Sequence, residues 1–88
     1  MKLHILKIKP MYFYDVTHGI KTFELRKDDR DYECNDLIHF VDEYNEEFTA
    51  HTNEVYRIKY VLRNTPQYRL QDGYCILTIE KLKGVSDE

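Results

Sequence analysis

The chain has 88 residues, which at usual domain sizes of about 100–150 residues leaves room for one core and excludes a second domain. Hydrophobic residues at 42% and charged residues at 33% describe a globular chain and exclude a disordered one. Thirteen Lys and Arg against sixteen Asp and Glu give −3, which excludes a uniformly basic nucleic-acid binder but permits a local basic patch. Leu3 to Ile8 is short and apolar, broken only by His4 and Lys7, and predicts a partly buried strand. Pro10 suits the first turn of a helix, where its missing N–H costs nothing. Tyr12, Phe13, Val16 and Ile20 follow the spacing of one helical face, and Gly19 ends the helix with His18 in its last turn.

Thr22 to Lys27 alternates, which predicts a strand with Phe23 and Leu25 on the core face. Thr22, Glu24 and Arg26 then share a polar face, with Lys21 at its mouth. A charged loop follows, and Asn35 marks a turn because Asn tolerates a left-handed backbone. Leu37 to Val41 predicts a third strand, in which His39 is half-buried. Asp42 to Glu54 is a loop with five acids and no Lys or Arg. Val55 to Leu62 predicts a strand with Tyr56, Ile58, Tyr60 and Leu62 on one face. Residues 63–72, with Pro66, form a loop, and Gly73 precedes a last strand whose Cys75, Leu77 and Ile79 face together. The expected fold is α+β, a small curled sheet or β-barrel of about five strands with one short helix after the first. One domain spans residues 1–83, and residues 84–88 form a loose tail.

Cys34 and Cys75 are too few for a disulfide framework and read as reduced thiols. No apolar run approaches the roughly 18 residues of a helical membrane span. Lys and His interrupt the first residues, so no signal peptide is expected and a cytoplasmic setting follows. His4, His18, His39 and His51 show no metal-ligand spacing, so neither a metal nor another cofactor is expected. Ser86 is the only serine, and no nucleophile motif or phosphate-cradling glycine loop occurs.

The segment from Gly19 to Arg26 is where chemistry concentrates. Arg26 can fork onto a phosphate or carboxylate, Lys21 supplies a point charge, and Glu24 accepts from a base amino group or holds the two cations. Bases also gather without acids in residues 1–9, through Lys2, Lys7 and Lys9, and in residues 55–71, through Arg57, Lys59, Arg63 and Arg69. Tyr56, Tyr60 and Tyr68 interleave with the second group, a pattern suited to unpaired bases and phosphates, although Tyr56 and Tyr60 fit a core role better. Tyr68 and Arg69, on a loop, are the better ligand contacts.

The run Gly19-Ile20-Lys21-Thr22-Phe23-Glu24-Leu25-Arg26, continued by Asp29-Arg30-Asp31 and Asn35-Asp36, resembles the ASCH-like branch of the PUA superfamily. Within that branch it resembles a small bacterial and phage family of unassigned function. The resemblance spans nearly the whole chain, with its specific motifs in the first forty residues. It implies a PUA-like β-barrel with a cleft beside the first helix, in which relatives bind RNA or modified nucleosides. The ligand-binding candidates are Lys21, Thr22, Glu24 and Arg26, joined by His4, Lys7, Tyr68 and Arg69. One ASCH branch implies a second possibility, an amidohydrolase acting on N4-acetylcytidine, with a Lys, a Thr and a distant Glu as catalytic residues. Lys21 matches its Lys, but Glu24 stands where it has Thr, so the nucleophilic hydroxyl is missing and catalytic candidates reduce to Lys21 and Glu24. A third possibility is a protein-interaction domain that meets a basic partner through the acidic loop. Oligomeric state stays open.

Overall fold

Alternate carbonyls of an edge strand point away from its only neighbour and need other partners. That requirement shapes this fold. The structure, a computed structural model, describes residues 1–44, 54–65, 67 and 69–82. Within them the chain runs through β1 (Leu3–Ile8), α1 (Pro10–Thr17), β2 (Phe23–Lys27), β3 (Leu37–Asp42), β4 (Tyr56–Leu62) and β5 (Tyr74–Lys81). The strands form one five-stranded sheet in the order β1-β3-β4-β5-β2, curled as a half-barrel. Only β1 and β3 pair in parallel; the other neighbours are antiparallel. A parallel pair needs a long crossover, which α1 and β2 provide. The first two strands in sequence thereby become the two edges of the sheet.

Those edges are bridged by side chains. Lys2 O and Ile8 O accept from Leu37 N and Glu43 N on the β3 side, at 2.7 and 2.9 Å. By alternation the carbonyls of Ile5 and Lys7 face away. Arg26, on β2, donates from Nη2 to Lys7 O at 2.7 Å, and Arg30 donates from Nη1 to Ile5 O at 3.1 Å. Two arginines thus serve an edge that has no second strand.

The concave side of the sheet holds the core. Phe13 of α1 meets Phe40 of β3 edge-on at 6.0 Å between ring centroids, and Phe40 meets Tyr56 of β4 at 5.5 Å. Ile38, Ile58, Cys75 and Leu77 are fully enclosed beneath them. Pro10 opens α1 and His18 caps it. Gly19 then takes φ +75°, a left-handed turn that glycine adopts without strain. Asn35 takes φ +76°, as its residue type suggests. His39 is half-buried, and Cys75, Leu77 and Ile79 share the inner face of β5.

Three faces differ from expectation. On β2 the polar side is the inner one: Glu24 is 5% exposed, whereas Phe23 and Leu25 are 48% and 58% exposed. Alternation divides a strand into two faces but does not say which turns inward. Here cations close to Glu24 make its burial tolerable. On α1 only Phe13 and Val16 are buried; Tyr12 is exposed, and Ile20 lies beyond the helix end. On β4 the register shifts between Ile58 and Tyr60. That irregularity leaves Tyr60 56% exposed and sets Val61 against the core instead. Most of the acidic loop (residues 45–53), Pro66 and the residues 84–88 tail lie outside the described residues. Among the described residues, no helix is long and apolar enough to cross a membrane.

Asp36 anchors the start of β1. It is 1% exposed and accepts from Lys2 N at 2.9 Å, Glu33 N at 3.0 Å and His4 Nε2 at 2.9 Å. The His4 ring in turn lies 4.7 Å from that of Tyr32. Burial by itself pushes the Asp36 carboxyl up, but the hydrogen bonds from His4, Lys2 and Glu33, with the Lys2 charge, outweigh it and hold the group below its ordinary value. Asp36→Ala is expected to lower the free energy of unfolding by about 3 kcal/mol at neutral pH, read by urea denaturation. Because the folded-state value is lowered, the Asp36 contribution is full above the ordinary carboxylate range and disappears as pH falls through the folded value. The stabilities of wild type and variant should therefore converge as pH falls below about 4.

Candidate functional site

The inward polar face of β2 is completed by the turn after α1. With Gly19 reversing the chain, Ile20 N and Lys21 N both donate to Asp15 O, at 2.9 and 3.0 Å. This brings Lys21 back over β2. Its Nζ donates to Phe23 O at 2.7 Å and to Glu24 Oε1. Arg26 reaches the other oxygen, Glu24 Oε2, through Nη2 at 3.0 Å and Nε at 3.3 Å. A carboxylate this buried is costly unless it is paired and hydrogen-bonded, and both its oxygens are served. The same Arg26 Nη2 holds Lys7 O, so the ion-paired group also ties β2 to β1.

Over this group opens a cleft of about 500 Å³. Among the described residues, Lys7, Lys9, Lys21, Arg26 and Lys27 line it with the carboxylates Glu24 and Glu43. Aromatic faces contribute as well. The Lys21 ammonium sits 4.9 Å from the Phe23 ring centroid and 5.7 Å from that of Tyr12, within cation–π range. Both rings are part of the cleft lining and both residues are exposed. The result is a positive, aromatic-edged cleft on a chain whose net charge is −3.

Of the residues singled out from sequence, Lys7, Lys21, Glu24 and Arg26 come together here. Thr22 does not join them. It lies just ahead of β2 and lines a separate cleft, for which Lys21 is a shared wall. His4 is in the core on Asp36 and lines neither cleft, because the first cleft meets β1 only at its far end, from Lys7 onward. Arg69 is exposed with φ +65° and also lines neither; Tyr68 lies outside the described residues. Two arginines of the basic stretch of residues 55–71 are neutralised in space. Arg57 pairs with Glu80 and donates to Asn35 Oδ1 at 2.6 Å. Arg63 forks onto Asp28 at 2.5 and 3.0 Å and donates to Tyr32 O at 3.0 Å. Those acids come from other parts of the chain, so the local sequence could not show them. Sequence reasoning missed Tyr12 and Phe23, which helical and strand periodicity assigned to the core. Among the described residues, no group of three or more His, Cys, Asp and Glu is arranged to hold a metal ion.

Residues 3–79 match the model of a family described as Domain of unknown function (DUF3850). The chain belongs to the DUF3850 family. Its match runs from the first residue of β1 into β5 and so takes in both edges of the sheet and the whole ion-paired group. No curated protein matches this DUF3850 chain.

Removing the central carboxylate should expose how far the site depends on it. Glu24→Ala leaves Lys21 and Arg26 as neighbouring cations without their shared acid, and a loss of about 3 kcal/mol of stability is expected by urea denaturation. Replacing exposed Leu25 by Thr on the same strand should change stability by less than about 0.5 kcal/mol.

Proposed function

We propose that this DUF3850 chain is a binding module for RNA or a nucleotide-like ligand, and that the half-barrel is of the PUA-like, ASCH type. The ligand occupies the cleft beside α1. The observation that carries this reading is the clustering of five cations and two exposed aromatic rings in one cleft of an otherwise acidic chain. Lysines and arginine meet phosphate, and Tyr12 and Phe23 offer faces on which a base can stack. Glu24 keeps Lys21 and Arg26 in place by binding both, so its role is positional.

The amidohydrolase alternative draws less support from the geometry. Glu24 occupies the strand position where that pattern has a nucleophilic hydroxyl, Lys21 is engaged with Glu24 and Phe23 O, and Thr22 lies in the other cleft. The interaction-domain alternative rests on the acidic loop, most of which lies outside the described residues.

Titration with single-stranded RNA at increasing salt tests the proposal. Affinity is expected to fall as salt rises, and Lys9→Ala with Lys27→Ala should flatten the log–log slope by about 1.4 if each lysine meets one phosphate. Tyr12→Ala should weaken binding by about 1–3 kcal/mol through lost stacking. Absence of binding even at low salt would overturn it.

A further inference from the structure

Lys21 separates the first cleft from a second, of about 620 Å³, between the C-terminal end of α1 and strands β4 and β5. The chemistry on the two sides differs. The first cleft exposes Tyr12 and Phe23. In the second, Tyr56 is the one tyrosine among the described lining residues; it is buried and its hydroxyl donates to Glu54 Oε1 at 2.9 Å, so it offers no face for stacking. Instead, among the described residues, Lys21, Lys59 and Lys81 line it with the carboxylate Glu80, and Thr22 and Thr78 add hydroxyls.

The acids nearest Lys59 and Lys81 are each shared with other donors. Glu80 binds Arg57 through Oε2, leaving Lys59 at 4.0 Å from Oε1 with its side chain 55% exposed. Glu54 accepts from Thr17 Oγ1 at 2.7 Å and from Tyr56 through Oε1, and its Oε2 pairs with Lys81 at 3.3 Å, with the Lys81 side chain 37% exposed. Ammonium groups at the ends of long side chains suit phosphate as point charges. Each cleft alone has the size of a small-ligand pocket, roughly 300–1,000 Å³, so the pair provides for more than one nucleotide.

We infer that the two clefts hold successive nucleotides of one single strand, with Lys21 between them. The base of one nucleotide stacks in the first cleft against Tyr12 and Phe23. The adjoining backbone passes Lys21 into the second cleft, where Lys59 and Lys81 meet its phosphates. The ligand is therefore a single-stranded oligonucleotide in preference to a free mononucleotide. This rests on the RNA- or nucleotide-binding reading and narrows it.

The test compares a randomised RNA hexamer pool with the four nucleoside 5′-monophosphates, on wild type, on Lys59→Ala and on Lys59→Ala/Lys81→Ala. Wild type is expected to bind the hexamers at least about tenfold more tightly at low salt. The double variant should lose that advantage and flatten the salt slope for hexamers by about 1.4, with monophosphate affinity unchanged. Lys59→Ala should give about half the change in slope, and being a largely exposed site it leaves the core untouched. Equal affinity of wild type for hexamer and monophosphate, or a full hexamer advantage in the double variant, would overturn the inference while sparing the first cleft. Binding of neither probe by wild type would remove both readings together.

Discussion

One buried carboxylate organises the working side of this molecule. Glu24 draws Lys21 from the turn after α1 and Arg26 from its own strand, and Arg26 continues to the backbone of β1. Without the two cations, a carboxylate in the concave side of the sheet would be too costly to bury. Without Glu24, two cations would crowd one end of the sheet. The mutual requirement explains why the strand turns its polar face inward and leaves Phe23 and Leu25 in solvent.

The same group reconciles the topology with the unsatisfied sheet edges. A crossover that places β1 and β2 at opposite ends of the sheet order leaves both with backbone groups lacking a neighbouring strand. Arginine side chains, with several donors in a rigid fork, accept part of that task. Arg26 and Arg30 bind the carbonyls of Lys7 and Ile5 while keeping a groove between the strands. A full ladder of backbone hydrogen bonds there would have left no groove. The cleft is thus a consequence of how the sheet is bridged, and its positive character follows from using cations for the purpose.

A different carboxylate, Asp36, stabilises the opposite end of β1 by collecting backbone N–H groups and His4. The two acids divide the strand between them. Its first residues are held by a neutralised turn in the core, and its last residues border the cleft. This division accounts for His4 and Lys7, three positions apart in one strand, having unrelated surroundings.

The order of one helix and five strands was readable from local pattern, because helical and strand periodicity, Pro10, Gly19 and Asn35 act over a few residues. The clustering of Lys21, Glu24 and Arg26 was readable for the same reason: they lie within six positions of one another. The direction of each strand face was not. Both faces of β2 alternate equally well, and burial fell to the charged one because Glu24 finds its cations in the turn after α1 and in Arg26 of its own strand, which the carbonyl of Lys7 across the groove holds in place. The shift in β4 that turns Tyr60 outward has no local signal, since register depends on pairing with β5. Nor could the stretch of residues 55–71 show that Arg57 and Arg63 are spoken for, since Glu80 and Asp28 reach them only across the folded sheet. Short-range backbone preference therefore settled the elements of this protein, whereas burial, strand register and cross-sheet ion pairs settled which surfaces they present.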